Sequence, residues 1–298
     1  MSHRLGIAKI LLATCLLVFS FTATLAMGQD YQPGEIIVAV RPPGENILGL
    51  LLRHGLVPIF LERLEGTGIW RVGVLGPVLD ILTRLLGDAN VEFAELNYIL
   101  AIPESGQQDM AFVDGDRPPY VEEKRSPPRY FSQTAYSKIM AGPAHDVTTG
   151  AGIVVAVVDT GTSFTHPALQ ARTLAGWDFV DNDPDPTDEP DGRGYGHGTF
   201  ISGIIALVAP DAQILPVRAL NPAGRGDVFT VAKAIRYAVD QGAQVINLSV
   251  GLPRRAQTVD AEIRYAHDAG VVVVASAGNQ NSGDPQYPAA SQYVMGVA

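Results

Sequence analysis

Cysteine is nearly absent from this chain. The one thiol in 298 residues, Cys15, sits inside an apolar N-terminal stretch. Without that stretch the protein has no disulfide and no thiol chemistry. Too few apolar residues precede Cys15 for a lipid-attachment site, and Thr14 is not the usual small neighbour. Basic charge is also short. The 21 Lys and Arg face 31 Asp and Glu, a net charge of −10, which argues against nucleic acid as a partner. Only 17% of residues are charged, and no repeat or low-complexity tract is present. With 47% apolar residues and 31 glycines, the chain reads as compact and loop-rich rather than disordered. Also missing is a glycine-rich phosphate loop after residues 153–158, which removes a nucleotide-binding reading of that strand.

Residues 1–28 have the pattern of a secretory signal: Arg4 and Lys9, then Ile10 to Phe21, then Ala26-Met27-Gly28. They predict a secreted or extracellular protein, or a periplasmic one, with no stable membrane insertion after cleavage. Residues 29–103 alternate strand, helix, strand, helix, strand and predict a small α+β domain of ferredoxin-like type. Val78, Ile81, Leu82 and Leu85 share one helix face, with Pro77 before them and Gly87 after. Residues 104–128 hold Pro118, Pro119, Pro127 and Pro128 and read as a linker. From residue 129 to 298, apolar strands (153–158, 213–219, 244–249, 271–276) alternate with helices (near 198–208, 228–240, 258–269). That pattern predicts a doubly wound α/β domain on a mostly parallel sheet, covered on both faces. Gln292 to Ala298 begin a further strand, so the domain is expected to be C-terminally incomplete.

Three residues carry candidate chemistry. Asp159 closes the apolar run Ile153 to Val158 and is followed by Thr160-Gly161. A carboxylate at the end of a buried parallel strand stands where ligands gather. His197 lies in Gly196-His197-Gly198-Thr199 at the start of a helix, where its charged form is disfavoured and a general base is well served. Asn279, in Ala277-Gly278-Asn279 after a strand, has an amide that can donate to a developing oxyanion. Taken singly, each fits another reading: magnesium or phosphate chemistry for Asp159, a capping or packing histidine for His197, and a turn residue for Asn279.

Taken in order, Asp159-Thr160-Gly161, Gly196-His197-Gly198-Thr199, Asn247-Leu248-Ser249-Val250-Gly251 and Ala277-Gly278-Asn279 resemble the motifs of the subtilisin-like serine proteases. The resemblance implies a serine-type endopeptidase acting on protein or peptide substrates, with no organic cofactor. Asp159 would orient His197, His197 would act as base and then acid, and Asn279 would stabilise the oxyanion. Ser249, Val250 and Gly251 would pair with the substrate backbone, with Gly224, Arg225 and Gly226 on the opposite edge. Ser276, Ala277 and Gly278 would line the specificity pocket. Residues 29–103 resemble the family's inhibitory propeptide, through Pro33 to Val38 and Ala94 to Tyr98, and would act as an intramolecular inhibitor. The acidic run 178–191, with seven carboxylates, resembles a calcium site of thermitase-like members, which implies ligands at Asp178, Asp183, Asp185 and Thr187.

The family's nucleophile stands in Gly-Thr-Ser at the start of a long helix, well after the oxyanion asparagine. No such segment follows Asn279 in this sequence, and Gly161-Thr162-Ser163 follows the aspartate instead. The chain as given is therefore expected to be inactive, as part of a protease precursor. The alternative is a catalytically dead peptide-binding protein.

Overall fold

The computed structural model describes residues 30–41, 46–103, 134–279, 281 and 283–298. The expected signal (1–28, with Cys15) and the linker (104–128) lie outside the described residues.

The first sheet is built by β1 (Tyr31–Val40), α1 (Ile47–Arg53), β2 (Phe60–Arg63), β3 (Ile69–Gly73), α2 (Val78–Leu86) and β4 (Val91–Ala101). Its strands lie in the order β2-β3-β1-β4, all antiparallel. A βαββαβ chain in that order has the ferredoxin-like arrangement expected. Side chains of β1 alternate between two cores, as the two-residue strand period requires. Ile36, Val38 and Val40 pack under α1 and α2, while Ile37 and Ala39 face the helices of the second sheet. This double burial explains why the sequence reads Ile-Ile-Val-Ala-Val without a polar break. In α2, Val78, Ile81, Leu82 and Leu85 are the buried residues and Gly87 is the C-cap, as their spacing predicts. β2 was not expected. Its four residues are partly or fully exposed and leave no apolar alternation to read. The strand exists by pairing with β3, where the Phe60 ring lies over Gly73 in the space a Cβ would fill.

The second part begins with two short helices, α3 (Thr134–Lys138) and α4 (Ala141–His145). There follow β5 (Val154–Asp159), β6 (Trp177–Asp178), α5 (His197–Val208), β7 (Gln213–Arg218), β8 (Arg225–Asp227), α6 (Val228–Asp240), β9 (Val245–Leu248), α7 (Gln257–Asp268), β10 (Val272–Ser276) and β11 (Val294–Val297). Six strands form a wholly parallel sheet in the order β11-β10-β9-β5-β7-β6. The chain leaves β5 toward β7 on one side and returns to β9 on the other. The carboxyl end of β5 is thus a topological switch point, where an α/β sheet opens a crevice. No helix among the described residues is long and apolar enough to cross a membrane.

β8 belongs to the first sheet rather than the second. Arg225, Gly226 and Asp227 pair with Ala101, Leu100 and Ile99 of β4. The rest of that face meets the amino ends of α6 and α7. Asn97 Oδ1 accepts from the amide of Phe229 at 3.1 Å. Glu95 accepts from the amides of Gln257 (2.9 Å) and Thr258 (2.8 Å) and from the Thr258 hydroxyl (2.6 Å). These are first-turn donors with no partner inside a helix, and the N-cap Ala256 has no side-chain acceptor. A carboxylate from another sheet thus caps α7. Burial holds the Glu95 carboxyl above the usual glutamate value, against the opposing pull of those bonds. Glu95→Ala is expected to destabilise the whole chain by about 1–2 kcal/mol, the loss of a charged cap, measured by urea unfolding.

Candidate active site

Asp159 is the last residue of β5 and is fully buried. Its main-chain carbonyl accepts from the amides of Ala219 and Leu220, which fixes the turn against the end of β7. His197 opens α5, with Gly196 at φ 81° before it. Gly198 has a different task. A Cβ there would stand 2.1 Å from the carbonyl oxygen of Gly161 and 3.0 Å from Cβ of Asp159. Glycine lets the start of the helix press against the end of the strand, which brings the two motifs together.

The result is a hydrogen bond of 2.7 Å between Nδ1 of His197 and Oδ1 of Asp159, with both side chains out of solvent. An ionised carboxylate can only accept, so Nδ1 carries the proton, and in the neutral ring Nε2 carries the lone pair. Oδ1 also accepts from the amide of Thr160 at 2.7 Å. Oδ2 is buried and accepts no hydrogen bond from any described residue. Asn279 stands beyond the end of β10 on an exposed bend. Ser163, of Gly161-Thr162-Ser163, lies on the turn after Asp159, where its hydroxyl pairs with that of Thr165.

The expected groove residues line a gap that the chain itself fills. The amide of Ile102 donates to the carbonyl of Gly224 at 2.9 Å. Ala101 and Gly251 exchange a pair of main-chain bonds of 3.2 and 2.9 Å. Residues 99–102 therefore lie as an added strand between β8 and the segment Ser249-Val250-Gly251. Leu100 and Ile102 are buried in the shared apolar core, and Ile102 packs on Gly224. Val250 is fully buried beneath this strand, and the hydroxyl of Ser249 accepts from the side chain of Asn247 at 2.9 Å. Ser276, Ala277 and Gly278 turn out of β10, with the Gly278 amide donating to the Ser276 hydroxyl and the Ala277 amide to the carbonyl of Val297.

The four expected calcium ligands do not converge. Among the described residues no three His, Cys, Asp or Glu groups are placed to hold a metal ion. Asp178 is buried against Arg218 and also accepts from the amides of Val180 and Asp181. Asp183 accepts from the amide of Asp185, and Asp185 from the amide and hydroxyl of Thr187. Asp183 and Asp185 are turned back onto their own loop, while Asp178 is held by Arg218 of β7. The positive charge in the acidic run is the guanidinium of Arg218, which is 1% exposed and bonds to Asp178, Asp181 and Glu189. The residues as arranged do not fit calcium. Arg218 was not singled out from the sequence, although an arginine at the end of a buried apolar strand was a readable signal. Nor was Asp188, which was counted only as one carboxylate among seven. Asp188 is buried, and burial raises its carboxyl above the ordinary aspartate value.

A model of the peptidase S8 family, the subtilases, matches residues 150–298. The chain belongs to the subtilase family. Among curated proteins this subtilase is similar to thermitase of Thermoactinomyces vulgaris. The two are 42% identical over 181 residues, which is 57% of this chain and 63% of thermitase. It is also similar to a thermophilic serine proteinase of Bacillus sp. (strain AK1), 37% identical over 234 residues, covering 75% of this chain and 53% of that one. This second match is longer than the family segment and so reaches residues before 150. Among solved structures, fervidolysin of Fervidobacterium pennivorans superposes with a TM-score of 0.67 at 25% identity. That enzyme is described as keratinolytic and related to subtilisin, and the match covers 92% of this subtilase and 44% of fervidolysin. The parallel sheet and its helices have the subtilisin-like fold. This subtilase spans between half and two thirds of the length of these two curated relatives.

Proposed function

We propose that this subtilase carries the acid and base arms of a secreted serine endopeptidase precursor, with residues 29–103 as its inhibitory propeptide. The observation that carries this reading is the buried 2.7 Å bond between His197 and Asp159. Asp159 holds the imidazole in the tautomer that leaves Nε2 basic and offsets the charge of the imidazolium once it forms. His197 takes the proton of a serine nucleophile and returns it to the leaving amine. Asn279 donates to the tetrahedral oxyanion. Protein substrates enter as an added strand between Gly224-Arg225-Gly226 and Ser249-Val250-Gly251. The propeptide reading is supported by the chain's own residues 99–102 in that place, since a strand already there excludes another.

No Gly-Thr-Ser follows Asn279 within residues 280–298. The test is a chain extended in its own reading frame beyond Ala298 and treated with a fluorophosphonate probe. A labelled serine, with labelling and peptide hydrolysis both lost in His197→Ala, is the expected result. Peptide binding without labelling or hydrolysis would overturn the endopeptidase reading and leave a binding protein.

A further inference from the structure

We propose that Asp188 is a positioning residue that ties the turn carrying Asp159 to the helix start carrying His197. Its consequence for catalysis rests on the endopeptidase reading above, while its geometry does not. Asp188 lies in the loop between β6 and α5, nine residues before His197, and is 7% exposed. Both carboxylate oxygens are committed. Oδ1 accepts from the hydroxyl of Thr160 at 2.7 Å. Oδ2 accepts from the amide of Thr199 at 3.0 Å and from its hydroxyl at 2.6 Å. The Thr160 oxygen then accepts from the amide of Gly198 at 3.1 Å. The Thr199 oxygen accepts from the amide of Ser163 at 2.9 Å.

Every group in this network is next to, or two residues from, a residue of the pair, or on the turn that follows it. Thr160 follows Asp159, and Gly198 and Thr199 follow His197. One carboxylate thus spans the two motifs without touching either catalytic side chain through a hydrogen bond. It also replaces something α5 lacks. The N-cap is Gly196, which has no side chain to accept from the first-turn amides. An ionised carboxylate meets the Thr199 amide directly and the Gly198 amide through the Thr160 hydroxyl, at the positive end of the helix dipole. Three donors converge on two oxygens, so the charge is what the site selects. An asparagine would turn an amide NH2 toward one set of donors and break that side of the tie.

Nothing in this network requires a nucleophile, so the chain as it exists can be tested. The proton on Nδ1 of His197, held by Asp159, gives a far-downfield proton resonance whose solvent exchange reports how firmly the pair is held. Asp188→Asn is expected to speed that exchange about tenfold or more, the effect of losing a charge-assisted hydrogen bond. Thr160→Val, which removes one link and keeps the volume, is expected to do so as well. Glu189→Gln is the control. It alters the neighbouring carboxylate, which bonds to Arg218, and is expected to leave the resonance unchanged even if the loop loses stability. Wild-type shift and exchange in either Asp188→Asn or Thr160→Val, whichever folds, would overturn the proposal. A failed serine label in the extended chain would instead overturn the endopeptidase reading and leave this result standing.

Discussion

Asp159→Ala is expected to lower turnover of the extended, serine-bearing chain by about 10⁴-fold, a magnitude carried over from serine proteases of known mechanism. The Michaelis constant should hardly move. Asp159 is fully buried and bonds to His197 and to the amide of Thr160. The deletion removes the acceptor that orients the ring and the charge that balances the imidazolium. Asp159→Asn separates these two effects. The amide of Thr160 donates to the same Oδ1 that holds His197. It therefore selects the rotamer that keeps the asparagine oxygen there. The new NH2 takes the place of Oδ2, which accepts no hydrogen bond from any described residue. The tautomer of His197 should survive, and the loss should be that of the charge alone. Asp159→Asn is thus expected to be less impaired than Asp159→Ala, read as the ratio of their kcat values. Equal impairment would mean that the Thr160 amide does not fix the amide orientation.

The largest stability effect is expected at Arg218. Replacing it with alanine should cost about 3–5 kcal/mol, measured by urea unfolding. The guanidinium is buried, and so is the Asp178 carboxylate that it meets. Removing the arginine leaves that carboxylate charged, out of water and without its counter-ion. Asp181 and Glu189 are about half exposed and contribute little to this figure, since water can resolvate them. Arg218→Lys keeps the charge but not the fork that reaches three carboxylates, so an intermediate loss is expected. The same experiment decides the role of calcium. If Arg218 supplies the cation of the acidic run, a chelator should leave the wild-type unfolding midpoint in place. A large chelator effect with a small Arg218→Ala effect would reverse that assignment.

The long elements were legible in the sequence because their burial is periodic or continuous. α2 shows its buried face at three- and four-residue spacing, and β5, β7, β9 and β10 are unbroken apolar runs in a sheet covered on both sides. β2 and β8 were not legible as strands, since neither has a pattern of its own. Each is drawn out by the strand it pairs with, β3 for one and β4 for the other. The same holds within the site. Asp159 and His197 announced themselves through flanking glycines and strand ends. Asp188 could not, because a carboxylate inside a run of seven carries no mark of which one will be buried. Only the fold decides that, by folding Thr160 and Thr199 over it. The acidic run meets a related limit: a row of aspartates looks the same whether a metal or a distant arginine meets it.

One feature of the packing bears on how the two sheets unfold. Ile37, Ala39, Ile69, Phe93 and Leu100 of the first sheet share one apolar cluster with Phe229, Val231 and Ile235 of α6 and Val259 of α7, the helices that cover the second. Neither side can melt without stripping the other, so heat should unfold residues 30–298 in a single cooperative step. A cut within the expected linker, residues 104–128, would remove no residue of that cluster and would change the molecularity. Two fragments would then share a core by association, and their melting temperature would acquire a dependence on dilution that the uncut chain lacks.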